Sequence, residues 1–80
     1  MHKGNHTVEV IIHIDDDLEE GRRNSLAYSL TERDGIYSAE FCPLRNHLML
    51  VDYDSKQLSS LDVLQFVSGE QVTAQLIGPV

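Results

Sequence analysis

Val8, Val10, Ile12 and Ile14 alternate with Glu9, Ile11 and His13, and the pattern stops at three consecutive aspartates, Asp15, Asp16 and Asp17. Apolar residues at a period of two mark a strand with one buried face, because successive side chains of an extended chain point to opposite sides. Aspartates do not extend such a face; they suit a loop and the capping of a helix. Glu19 and Glu20 then put negative charge in a first turn, where the helix dipole favours it. Leu18, Leu26, Ala27 and Leu30 keep to one helical stripe, which predicts a helix over residues 18–33 with Gly35 as its stop.

The remainder repeats the alternation of strand and helix. Residues 36–42 favour a strand, Pro43 ends it, and a polar turn over 44–47 leads into a second strand over 48–53, giving a hairpin. Ser59 and Asp62 match a capping box; Leu61, Val63, Leu64, Phe66 and Val67 follow, and Gly69 ends the run, so a short second helix is expected. Residues 71–77 alternate as a last strand. The order is βαββαβ. Two right-handed βαβ halves interlock into an α+β sandwich, an antiparallel four-stranded sheet of order 4-1-3-2 with both helices on one face. The period of two assigns Val8, Val10, Ile12, Met49, Val51 and Tyr53 to the covered side, and Ile11, His13, Leu48 and Leu50 to the open side. Ile11, Leu48 and Leu50, with Val72, Ala74 or Leu76 as further candidates, form an apolar patch for a protein partner or a second copy of the chain.

Length and charge set outer limits. Eighty residues make one domain over 1–80, with an ordered core of about 7–78, and a chain of this size buries only roughly 60% of its unfolded surface. A net charge of -7 opposes binding to nucleic acid or anionic lipid and favours cationic partners. The N-terminus has no apolar leader segment, and no apolar run is long enough for membrane insertion. Cys42 is the single cysteine, which excludes an internal disulfide and points to a cytoplasmic location.

Leu26, Leu30, the pair Gly35-Ile36, the pair Tyr53-Asp54 and the closing stretch 69–78 stand at the offsets of a known module. Over residues 8–78 the chain resembles the heavy-metal-associated domain family of copper metallochaperones and metal-transporting P-type ATPases. The resemblance implies a ferredoxin-like sandwich. It also implies that Glu19 and Arg22 stand where the family motif G-M-x-C-x-x-C carries its two cysteines. Cu(I) needs soft thiolate donors, and carboxylate with guanidinium does not replace them.

A different metal centre is the alternative. The first two strands run in the same direction in this topology, so His13, Asp15, Asp16, Asp17, Cys42 and His47 share one edge, a donor set suited to Zn(II), Ni(II) or Cu(II). No paired motif supports it, and the plain reading is surface histidines, a half-buried thiol and capping aspartates. His2 and His6 are terminal and suited only to adventitious binding. No serine nucleophile constellation, glycine-rich phosphate loop or carboxylate pair with a plausible pocket emerges, so a small non-enzymatic domain is expected. The leading expectation is a protein-interaction accessory to metal handling with no resident cofactor; a divalent transition metal is the alternative.

Overall fold

The computed structural model describes residues 6–78. Its elements are β1 (Thr7–Ile14), α1 (Glu20–Thr31), β2 (Ile36–Cys42), β3 (Arg45–Asp54), α2 (Ser60–Ser68) and β4 (Ala74–Gly78). The sheet order is β2-β3-β1-β4, the expected order read from the other edge, and every neighbouring pair is antiparallel. The strand β1 is central. It pairs with β3 from Thr7 opposite Asp54 to His13 opposite Leu48, and with β4 from Ile14 opposite Ala74 to Ile11 opposite Gly78.

One core fills the space between sheet and helices. Val10, Ile12 and Ile14 of β1, Met49 and Val51 of β3, Leu26 and Leu30 of α1, and Val63 and Val67 of α2 have no exposed surface. Each such side chain contributes roughly 1.5–3 kcal/mol through removal from water. No polar or charged residue is buried among the described residues. The open side holds Glu9, Ile11 and His13 of β1, facing Asp52, Leu50 and Leu48 of β3.

Several sequence expectations need correction. Val8 is on the inner side by alternation, opposite the buried Tyr53, yet it is 37% exposed near the start of β1. Helix α1 is shorter than residues 18–33 at both ends; Leu18 packs against the core from the preceding loop. The hairpin turn is Pro43-Leu44, so β3 begins at Arg45 rather than Leu48, and Leu44 protrudes at 93% exposure. The last strand starts three residues late. Val72 is buried, and Ala74 and Leu76 lie opposite Ile14 and Ile12 and pack against the core, so none of the three joins the open face. Ile77 takes their place, 55% exposed beside the register shift between Ile11 and Ile12.

Two local devices were legible and are present. Ser59 accepts from the Asp62 N–H while Asp62 accepts from the Ser59 N–H, a closed capping box. Gly35 has φ +92°, and a Cβ there would stand 2.9 Å from Leu58 Cδ1. Its carbonyl also accepts the Asp54 N–H at 2.8 Å, tying the α1–β2 turn to the end of β3. Urea denaturation should show Gly35→Ala costing about 1–3 kcal/mol from the positive φ, and Ser59→Ala about 1 kcal/mol from the lost cap. A neutral Gly35→Ala would mean that the turn relaxes freely.

Candidate functional site

The acidic loop after β1 is built differently from the capping role expected of it. The N-cap of α1 is Glu19, which makes no side-chain cap bond. Instead, Asp16 Oδ2 accepts the Thr73 N–H at 2.8 Å, and the Asp15 N–H donates to the Thr73 carbonyl at 2.8 Å. Gln75 Nε2 donates to Asp15 Oδ2 at 3.1 Å. These aspartates therefore fasten the loop to β4, satisfying backbone groups beyond the last ladder bond.

Glu19 and Arg22, the two residues singled out by the family resemblance, are respectively exposed and half-buried, Arg22 in the first turn of α1. The Arg22 guanidinium donates to the Glu70 carbonyl, beside Gln71, whose φ of +68° is unusual for a residue with a side chain. Arg23 Nη1 donates to the Leu18 carbonyl at 2.5 Å. Both guanidinium groups thus fasten the start of α1 to neighbouring backbone carbonyls. A Cu(I) centre does not fit this donor set: Glu19 supplies a hard oxygen, and Arg22 has no lone pair to give.

The six residues of the alternative metal centre do not form one cluster. His13 and His47 meet, with ring centroids 5.7 Å apart and planes within 14°. Each Nδ1 has an oxygen partner: Asp15 Oδ1 at 2.8 Å for His13, and the Ile14 carbonyl at 2.7 Å for His47. With Asp17, Leu44, Arg45, Asn46 and Leu48 they line an open cleft of about 450 Å³. Cys42 instead lines a second cleft against α1, with Glu20, Arg23, Asn24, Ala27 and Phe41. The thiol and the imidazoles thus line different clefts, and the β2–β3 register shifts between Phe41 and Cys42. Asp16 is already committed to Thr73. Among the described residues no group of three or more His, Cys, Asp or Glu side chains is arranged to hold a metal ion. His2 lies outside the described residues, and the His6 carbonyl accepts from Ser55 N–H and Oγ.

On the open face, Ile11 lies opposite Leu50 and His13 opposite Leu48, with Ile77 beside Ile11. Acids border this strip: Glu9 stands opposite Asp52, and Glu40 opposite Leu50. The sequence alternation predicts Ile11, Leu48 and Leu50 here; it misses Ile77 because it assigns Val72, Ala74 and Leu76, rather than the residues between them, to the open side of the last strand. Among the described residues no helix is long and apolar enough to cross a membrane.

No family profile and no curated protein sequence matches the chain. Solved structures do. The N-terminal domain of a potential copper-translocating P-type ATPase from Bacillus subtilis superposes with a TM-score of 0.74 at 20% identity, covering 88% of this chain and 86% of that one. MerP from Ralstonia metallidurans, in its oxidised form, gives 0.75 at 8% identity over 88% and 96%. The yeast copper transporter domain Ccc2a gives 0.74 at 14% identity over 86% and 93%. The fold is the ferredoxin-like fold of heavy-metal-associated domains, and at these identities the likeness speaks for the fold alone.

The register predicts a gain of function. The natural chain should surrender Cu(I) to bicinchoninate, whereas Glu19→Cys combined with Arg22→Cys should retain one Cu(I) against the same competitor. Retention by the natural chain would contradict the donor-set argument, and failure of the double variant would contradict the assignment of these two positions.

Proposed function

We propose that this chain is a non-catalytic, cytoplasmic module of heavy-metal-associated type, spanning residues 1–80, that has lost the thiolate pair and works by docking a protein partner on its open sheet face. The carrying observation is the strip of Ile11, Leu48, Leu50 and Ile77 on strands whose other side is core. Apolar side chains at a sheet centre gain about 25 cal/mol per Å² when a partner removes them from water, before association costs.

Charge selects the kind of partner. Glu9 and Asp52 are directly opposed across β1 and β3, with the Ser38 hydroxyl donating to Asp52 Oδ2 at 3.2 Å, so one border of the strip is acidic. Glu40 adds a third carboxylate at the border. The fitting partner is therefore a protein with an apolar ridge flanked by Lys or Arg. A second copy fits poorly, because each copy carries a net charge of -7 and would present these acids to one another. The solved domains of this fold that are named for copper transport support a place in metal handling, as an accessory rather than a carrier. Support for the cytoplasm comes from the single cysteine, which allows no internal disulfide.

Leu50→Asp and Asp52→Lys test the reading in different ways. Both side chains lie outside the core, so amide spectra should keep their dispersion and stability should change by about 1 kcal/mol or less. A partner retained by the natural chain should be lost by both variants and released as salt rises. Equal retention by all three proteins would exclude this face, and unfolding of Leu50→Asp would mean that the residue belongs to the core.

A further inference from the structure

We propose that β2 and the adjoining face of α1 form a groove for an extended segment of another protein, which adds antiparallel to β2 as a further strand and carries an apolar–basic–apolar sequence. This surface is separate from the strip of Ile11, Leu48, Leu50 and Ile77, and the inference is independent of the docking read there. In the sheet order β2-β3-β1-β4, β2 is an edge. An edge strand leaves a row of N–H and C=O groups without ladder partners, and an extended backbone is what matches their spacing. The other edge, β4, is shorter, with five residues against seven.

The ladder fixes which groups point outward. Asp54 gives its N–H to the Gly35 carbonyl, on the β2 side, and Ser55 gives its N–H to the His6 carbonyl, on the β1 side. Backbone groups alternate in direction along a strand, so Asp52 and Leu50 also bond towards β2, and Val51 and Met49 towards β1. Ser38 and Glu40 stand opposite Asp52 and Leu50 and receive those bonds. Ala39 and Phe41, opposite Val51 and Met49, therefore direct their N–H and C=O groups away from the sheet.

Side chains set the sequence of the incoming strand. Residues that exchange both bonds across an antiparallel pair carry their side chains on the same face. Partner residues bonded to Ala39 and Phe41 thus place theirs on the helix side, where Ala39 and Phe41 pack against the core yet remain half-buried. An open cleft of about 450 Å³ lies there, with Glu20, Arg23, Asn24 and Ala27 as its other wall. Those four follow the spacing of one helix face, distinct from the buried Leu26 and Leu30. Apolar side chains suit the half-covered floor. The partner residue between them lies on the opposite face beside Glu40, which is exposed and has no salt bridge among the described residues. Lys or Arg supplies the counter-charge, and Glu20 on the cleft wall adds a second carboxylate of the same sign. A second copy of this chain is disfavoured, because it brings a net charge of -7 to the same edge.

The probe is a capped peptide of about seven residues that alternates Lys with Val, added to the isotopically labelled full chain. Saturable shifts should appear over residues 38–42 and at Glu20, Asn24 and Ala27, and the Ala39 and Phe41 amides should exchange more slowly with solvent. A peptide of the same composition with its lysines and valines in separate blocks should give no saturable shift. Methylating the valine amides, which face β2, should abolish binding, whereas methylating the lysine amides, which face solvent, should leave it unchanged. Ala39→Pro removes an outward N–H that makes no bond to β3, so the fold should persist and binding should weaken by about 3–10-fold. Glu40→Gln should weaken it by about 2–5-fold. The proposal is overturned if the alternating peptide gives no saturable shift, if the block peptide binds as well, if the two methylated peptides behave alike, or if the shifts centre on Ile11, Leu48 and Leu50. The methylated pair decides the matter on the unaltered chain even if Ala39→Pro fails to fold.

Discussion

The structure depends on a strand that is hydrogen-bonded on both sides and covered on one. Val10, Ile12 and Ile14 are fully buried, and the residues between them face away from the helices. A slip of one residue would put Glu9, Ile11 and His13 into the core and expose three large aliphatic side chains, so the register of β1 has no close competitor. That register decides the rest of the open face. Because β3 pairs with β1 from end to end, fixing Ile12 inward also fixes Leu48, Leu50 and Asp52 outward. The exit of β1 brings the aspartates to the start of β4 and His13 to the ring of His47. One alternation thus determines the core, the apolar strip and the imidazole pair.

What was legible in the sequence was local. The alternation of β1, the Ser59–Asp62 capping box and the glycine at Gly35 each act within a few residues, and each is found where the pattern put it. What escaped was set by distant partners. Asp15 and Asp16 read as helix caps, yet they bond to Gln75 and Thr73, residues that no local pattern brings near. Val72, Ala74 and Leu76 read as open-face residues until the pairing with Ile12 and Ile14 turned them inward. The tight Pro43-Leu44 turn lengthened β3 at its start, and Cys42 came to line a different cleft from the histidines. The candidate site was therefore half legible: topology brought His13 and His47 to one edge, but side-chain partners decided which of six donors meet.

The loop between β1 and α1 can change in sequence without changing the fold. Its residues are largely exposed, whereas the core beneath consists of side chains from every strand and both helices. Exchanging a donor in an exposed loop alters stability little, while exchanging a core side chain costs several kcal/mol. Sequence can then change freely at the loop, provided the backbone groups there remain satisfied. Arg22 and Arg23 do this by donating to the Glu70 and Leu18 carbonyls. A guanidinium is suited to the task, having several donors in a fixed fork, and for the same reason it is useless as a ligand.

Charge gives the two surfaces a common preference. Thirteen acidic residues against six basic ones leave the chain strongly negative, and the acids are not evenly spread. Glu9, Glu40 and Asp52 border the apolar strip, and Asp15, Asp16 and Asp17 adjoin the imidazole pair at its end. Fields from such clusters add where they face the same solvent, so the potential over the open face and the adjoining end of the sheet is negative, and a surface rich in Lys and Arg gains an attraction there that weakens as salt rises.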